Sequence, residues 1–70
     1  MKLDWVDGFS IKTRVEYNEI IIRANAEGLL SLANHLIKMA DEQVLKGYHL
    51  HLDELNSLED NSVSLIIEKI

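Results

Sequence analysis

The sequence predicts an α+β domain in the order β-β-α-β-β, a four-stranded, mainly antiparallel sheet with one amphipathic helix packed on one face. Three observations predict it. From Ser10 to Tyr17, the residues Ile11, Thr13, Val15 and Tyr17 alternate with the charged Lys12, Arg14 and Glu16, the two-residue period of a half-buried strand. From Ala26 onward the apolar residues take up a helical period. Gly47 to Asp53, GYHLHLD, then returns to a period of two, with Tyr48, Leu50 and Leu52 on one face and His49, His51 and Asp53 on the other. Strands on both sides of a lone helix give a sheet covered on one face and open on the other.

Each element follows from local chemistry. Asp7-Gly8 is a turn dipeptide, and Leu3, Trp5 and Phe9 form either a short extra strand or a flap over the open end of the core. Tyr17-Asn18 turns the chain into Glu19 to Ala24, whose run of Ile20, Ile21 and Ile22 is too short for a helix and rich in β-branching. This reads as a hairpin with an interior second strand. Asn25 is a good N-cap for a helix beginning at Ala26, and Glu27 sits in the first turn, where the dipole favours an acid.

At 100° per residue, Leu29, Leu30, Leu32, Ala33, Leu36, Ile37, Met39, Ala40 and Val44 fill one broad arc of the helix. Glu27, Ser31, Asn34, His35, Lys38, Asp41 and Glu42 fill the other. The apolar arc is expected on the sheet, with its flank of Leu30, Ile37 and Val44 either under the N-terminal segment or against another subunit or a partner. Gly28 is expected where another backbone comes close, since an interior helical glycine costs about 1 kcal/mol relative to alanine. Gly47 is placed as the left-handed residue that ends the helix after Lys46. Tyr48 to Asp53 is the third strand, Leu55 to Asn61 a polar connection, and Ser62 to Lys69 the fourth strand with Val63, Leu65 and Ile67 on one face. A right-handed crossover would make the second and third strands parallel neighbours, although other orders satisfy the same pattern.

Composition bounds the function. Seventy residues without a linker, repeat or proline make one domain, 1–70, with a small core. No cysteine is present, so neither a disulfide nor a Cys-ligated zinc is available. The opening MKLDWVDGFS lacks the apolar run of a signal peptide and no segment approaches the length of a membrane span, so a cytoplasmic location with no membrane partner is expected. Twelve acids against seven bases give a net charge of −5, the wrong sign for a nucleic-acid binder. Asp53, Glu54, Glu59 and Asp60 gather negative charge in the last third of the chain. They either solvate a turn or steer a basic partner.

His49, His51 and Asp53 form a His-x-His-x-Asp string on one strand face. Zinc catalysis needs three protein ligands and a water, and the one other histidine, His35, is expected on the outer side of the helix. Strings this short arise readily by chance, so exposed or partner-facing histidines are expected, with no metal and no cofactor. Gly8, Gly28 and Gly47 stand apart, so no phosphate-binding loop can be written, and no cysteine or strand-to-helix serine offers a nucleophile. The reading is therefore non-enzymatic. The open sheet face, with Ile21 and Ile66 emerging among the histidines, suits a protein partner or a second copy in a homodimer.

Three segments taken together resemble a known family. IIIRANAEGLLSLANHLIKMA (20–40), GYHLHLDE (47–54) and VSLIIEK (63–69) look like the small immunity proteins of bacterial polymorphic toxin systems, of the immunity protein 32 kind. The most specific part is Ala26-Glu27-Gly28-Leu29 paired with the His-Leu-His-Leu-Asp string. The resemblance implies a cytoplasmic protein that binds and neutralises a cognate toxin without catalysis. The candidate contacts are Tyr48, His49, His51 and Asp53 on the strand and Glu54, Glu59 and Asp60 in the acidic turn.

Overall fold

In the computed structural model, which describes residues 1–70, Tyr17 and Asn18 both hold left-handed backbone at φ 51° and 64°, the geometry of a two-residue hairpin turn. The turn pairs β1 (Ile11–Glu16) antiparallel with β2 (Glu19–Ala24), setting Ile11 opposite Ala24, Thr13 opposite Ile22 and Val15 opposite Ile20. The remaining elements are α1 (Ala26–Ala40), β3 (His49–Leu52) and β4 (Leu65–Glu68). The order β-β-α-β-β is the one expected.

The single four-stranded sheet is not. The strands form two separate antiparallel ribbons, β1-β2 and β3-β4, and the reason lies along the outer edge of β1. There the Glu59 N–H donates to the Ile11 carbonyl at 2.9 Å and the Val63 N–H to the Thr13 carbonyl at 3.2 Å. The Thr13 N–H donates to Ser62 Oγ at 3.2 Å, and the Thr13 hydroxyl donates to the Val63 carbonyl. Residues 59–63 thus satisfy β1, but Asn61 at φ 69° puts a turn among them, so no regular ladder forms. By Leu65 the chain has moved across to β3, with His49 opposite Glu68 and His51 opposite Ile66. Consequently β1 is the inner strand and β2 an edge, the reverse of the expected hairpin, and β2 does not neighbour β3.

The helix begins where its cap dictates. Asn25 Oδ1 accepts from the Gly28 N–H at 2.8 Å and from the Ser10 N–H at 3.0 Å, while its Nδ2 donates to the Gly8 carbonyl at 2.9 Å. One side chain both caps α1 and ties the Asp7-Gly8 turn to it. The helix ends at Ala40 rather than before Gly47, because Asp41 adopts extended backbone and its carboxylate accepts from the Gln43 N–H at 2.8 Å. A side chain that bonds its own local backbone competes with helix continuation. Gly47 is left-handed at φ 91°, but the conformation serves the entry into β3, where its N–H donates to the Lys69 carbonyl at 2.6 Å.

The largest departure is the rotation of α1. Its buried stripe is Gly28, Ser31, Leu32, His35 and Met39, about 120° around the axis from the centre of the apolar arc. A Cβ on Gly28 would lie 2.5 Å from the Ser10 carbonyl oxygen and 3.1 Å from Ala24 Cβ. Only glycine lets the hairpin come this near, and that contact selects the buried face. Residues 1–9 contain no strand and cover the Ser31–His35 side. The Val6 N–H donates to Ser31 Oγ at 2.9 Å, the Ser31 hydroxyl donates to the Glu27 carbonyl at 2.8 Å, and Lys38 Nζ bonds the Lys2 carbonyl and pairs with Asp4. Trp5 stacks on Phe9 at 4.5 Å and meets His35 edge-on at 4.3 Å. Of the two forms open to it, a strand or a flap, the segment takes the flap, laid over the polar side of the helix rather than over Leu30 and Ile37. The core joins Ile11, Leu32, Met39, Leu50, Leu52 and Leu58, with Leu3, Trp5, Phe9, Leu65 and Ile67 around them.

His35, expected outside, is fully buried, and neither ring nitrogen has a hydrogen-bond partner. Burial first and the Lys38 charge second hold its pKa below 6.5, with Asp4 opposing. Between that lowered value and 6.5 the unfolded chain takes up a proton that the folded chain does not. Stability is therefore fully present above the window and falls as the pH drops through it. His35→Met keeps an apolar filling and removes two unpaired polar atoms, so it is expected to melt at or above wild type at pH 7.5. Its advantage should widen as the pH is lowered to 5.5. Parallel melting-temperature curves over that range would refute the assignment to His35.

Candidate partner-binding site

The period-two pattern of β3 holds at each position. Leu50 and Leu52 are buried, and His49 and His51 project outward. The β4 register adds Glu68 and Ile66 to the same outer face. His49 Nε2 stands 3.2 Å from Glu68 Oε1, and both side chains are more than half exposed, so the pair is screened and contributes little to stability. His51 Nε2 lies 4.0 Å from Asp53 Oδ2, at the outer limit of an ion pair. Ile66 does emerge among the histidines as expected; Ile21 belongs to the other ribbon. No group of three or more His, Cys, Asp or Glu side chains converges to hold a metal ion.

Two of the candidate acids hold the turn. Asp53 Oδ1 accepts from the Leu55 N–H at 2.9 Å, and its carbonyl accepts from the N–H groups of Asn56, Ser57 and Leu58. Glu54 Oε2 accepts from the Asn61 N–H at 2.7 Å. These bonds close the 53–61 loop so that Leu58 enters the core. Glu59 and Asp60 are elsewhere. They face a broad open cleft whose other walls include Lys12 and Arg23 of the hairpin, with Ile22 and Leu29 at its apolar side. Tyr48 is half-buried against the core and borders a hollow with Met1, Val44 and Leu45. The seven candidates thus fall into an outward histidine pair, a structural pair, a cleft pair and a core-edge tyrosine.

The surface that sequence reasoning missed is the exposed face of α1. Leu29 and Leu36, expected on the sheet, and Leu30 and Ile37, whose flank was open between the N-terminal segment and a partner, are 57, 47, 56 and 71% exposed. The available signal was Gly28, Ser31 and His35, a small-residue and polar stripe beginning at the glycine expected to meet a backbone. It is outweighed by the leucines in any hydrophobic count.

The fold and this surface define a small α+β protein whose open features are those of a binding module: an apolar helix face, an outward histidine pair and unpaired acids. A family model, Immunity protein 32, matches residues 19–70, and the chain belongs to the immunity protein 32 family. Neither the curated proteins nor the solved structures include a match. Immunity proteins generally act by binding a toxin rather than by catalysis. No helix is long and apolar enough to cross a membrane.

Proposed function

We propose that this chain is a non-enzymatic immunity protein of a polymorphic toxin system that binds a cognate toxin domain in the cytoplasm and blocks it. Membership of the immunity protein 32 family over residues 19–70 carries this reading. The net charge of −5 favours fast association with a basic domain, and the outward His49 and His51, with Glu59 and Asp60 at the cleft, are the polar contacts. Asp53 and Glu54 support the loop that carries Glu59 and Asp60.

The test is affinity capture of the tagged chain from its host, followed by co-expression with the toxin domain that is retained. Growth is expected to be restored by the wild-type chain. Retention of no toxin domain, or failure of the chain to restore growth against the one retained, would remove the immunity reading. The His49→Ala/His51→Ala variant is expected to bind about tenfold more weakly, about 1.4 kcal/mol, with its melting temperature unchanged. Binding within threefold of wild type would exclude the histidine pair. Asp53 stays in place in that variant, since its carboxylate caps the loop.

A further inference from the structure

A helix normally turns its apolar arc inward, and α1 turns most of its own outward. Leu29 and Leu36 form one row and Leu30 and Ile37 another, about 100° apart on the exposed side of α1, and the exposed Ala33, four residues after Leu29 and three after Leu30, joins them into one broad stripe. The stripe continues off the helix. Ile22 borders the same cleft as Leu29, and the hairpin register places Ile20 beyond Ile22 on the same side of the ribbon, 74 and 43% exposed. The surface therefore turns the corner between helix and hairpin. Six exposed large apolar side chains gathered in this way are unlike scattered single residues and mark an interaction surface.

Charge says what covers it. Glu19 stands at the hairpin end of the stripe and Asp41 and Glu42 at the helix end, all exposed and none in an ion pair with Lys or Arg. A second copy would bring the same unpaired acids and the same net charge of −5 against them, which opposes self-pairing. Lys12 and Arg23 at the Ile22–Leu29 cleft stand with Glu59 and Asp60 around the same cleft, and Lys69 Nζ bonds the Asp41 carbonyl rather than its carboxylate, so the carboxylates at the two ends remain for a basic protein to meet.

We propose that the corner formed by Ile20, Ile22, Leu29, Leu30, Leu36 and Ile37 is the principal docking surface for the toxin domain. That domain meets it with an apolar ridge flanked by Lys and Arg. The inference rests on the immunity reading and names the surface through which it works. Apolar anchors then supply the affinity and the histidines and cleft acids form the polar rim.

The experiment compares wild type, Leu30→Glu/Ile37→Glu and His49→Ala/His51→Ala against the purified, inactivated toxin domain retained in the capture experiment. Both α1 side chains are more than half exposed, so the first variant is expected to melt within about 5 °C of wild type. It should bind at least 100-fold more weakly, a larger loss than the histidine variant shows, and wild-type association should slow as salt rises from 50 to 300 mM. Normal binding by the folded Leu30→Glu/Ile37→Glu variant would overturn the docking surface while leaving the immunity reading standing. Failure of wild type itself to bind would end both. A wild-type dimer in sedimentation equilibrium that this variant converts to monomer would assign the stripe to self-association and overturn the proposal.

Discussion

Gly28→Ala is expected to destabilise the protein by about 2–3 kcal/mol, although the same change in an exposed helix interior would stabilise it by about 1 kcal/mol. The new Cβ would stand 2.5 Å from the Ser10 carbonyl oxygen and 3.0 Å from Ile11 Cγ1. Ser10 is poorly able to yield. Its carbonyl accepts from the Asn25 N–H at 3.2 Å, and its own N–H donates to the Asn25 side chain that caps the helix. Moving it loosens the cap and the Ile11–Ala24 end of the hairpin together. For a domain of this size the loss corresponds to a fall in melting temperature of about 10–20 °C. A melting temperature within about 2 °C of wild type would show that the 8–11 segment can withdraw at little cost, and the contact at Gly28 could then not be what sets the rotation of α1.

Leu52→Ala should be the most damaging change in the His-Leu-His-Leu-Asp string, and His51→Ala, one residue away, nearly silent. Leu52 is 1% exposed within the core, and truncating such a leucine costs about 2–5 kcal/mol. A 70-residue chain has about 4–10 kcal/mol of stability in all, so a substantial unfolded fraction is expected at 37 °C. His51 is exposed and its only charged neighbour lies 4.0 Å away, so its loss should shift stability by less than about 0.5 kcal/mol. Chemical denaturation of the two variants beside wild type checks this, with equal midpoints counting against the alternation. The contrast also licenses the binding experiments, because a histidine variant that retains its stability reports on contact rather than on folding.

Most local structure was legible. Alternation marked β1 and β3, Tyr17-Asn18 marked the hairpin turn, Asn25 the cap, and Gly28 the close approach. Each depends on residues near one another in sequence and on the geometry of one element. What failed depended on one local bond and otherwise on distant partners. The extent of α1 was overestimated because the bond from the Gln43 N–H to the Asp41 carboxylate ends it before Gly47 can. Sheet order failed because the outer edge of β1 is filled by Glu59, Ser62 and Val63, nearly fifty residues away for the Thr13 contacts.

The candidate site divides in the same way. The outward direction of His49 and His51 is a property of a strand and could be read from GYHLHLD. That Asp53 and Glu54 serve the loop while Glu59 and Asp60 face Lys12 and Arg23 required the folded path of the chain. Periodicity identifies a helix and its apolar arc, but not which neighbour arrives first at which face. In this fold the hairpin meets Gly28, and the Trp5 flap seals Ser31 and His35. The sequence by itself determined the α+β class, the element order and the inward leucines of β3, because these follow from backbone periods. Only the tertiary structure decided that Leu29, Leu30, Leu36 and Ile37 face outward, because one close backbone contact at a glycine fixes the helix rotation against the pull of its own hydrophobic arc.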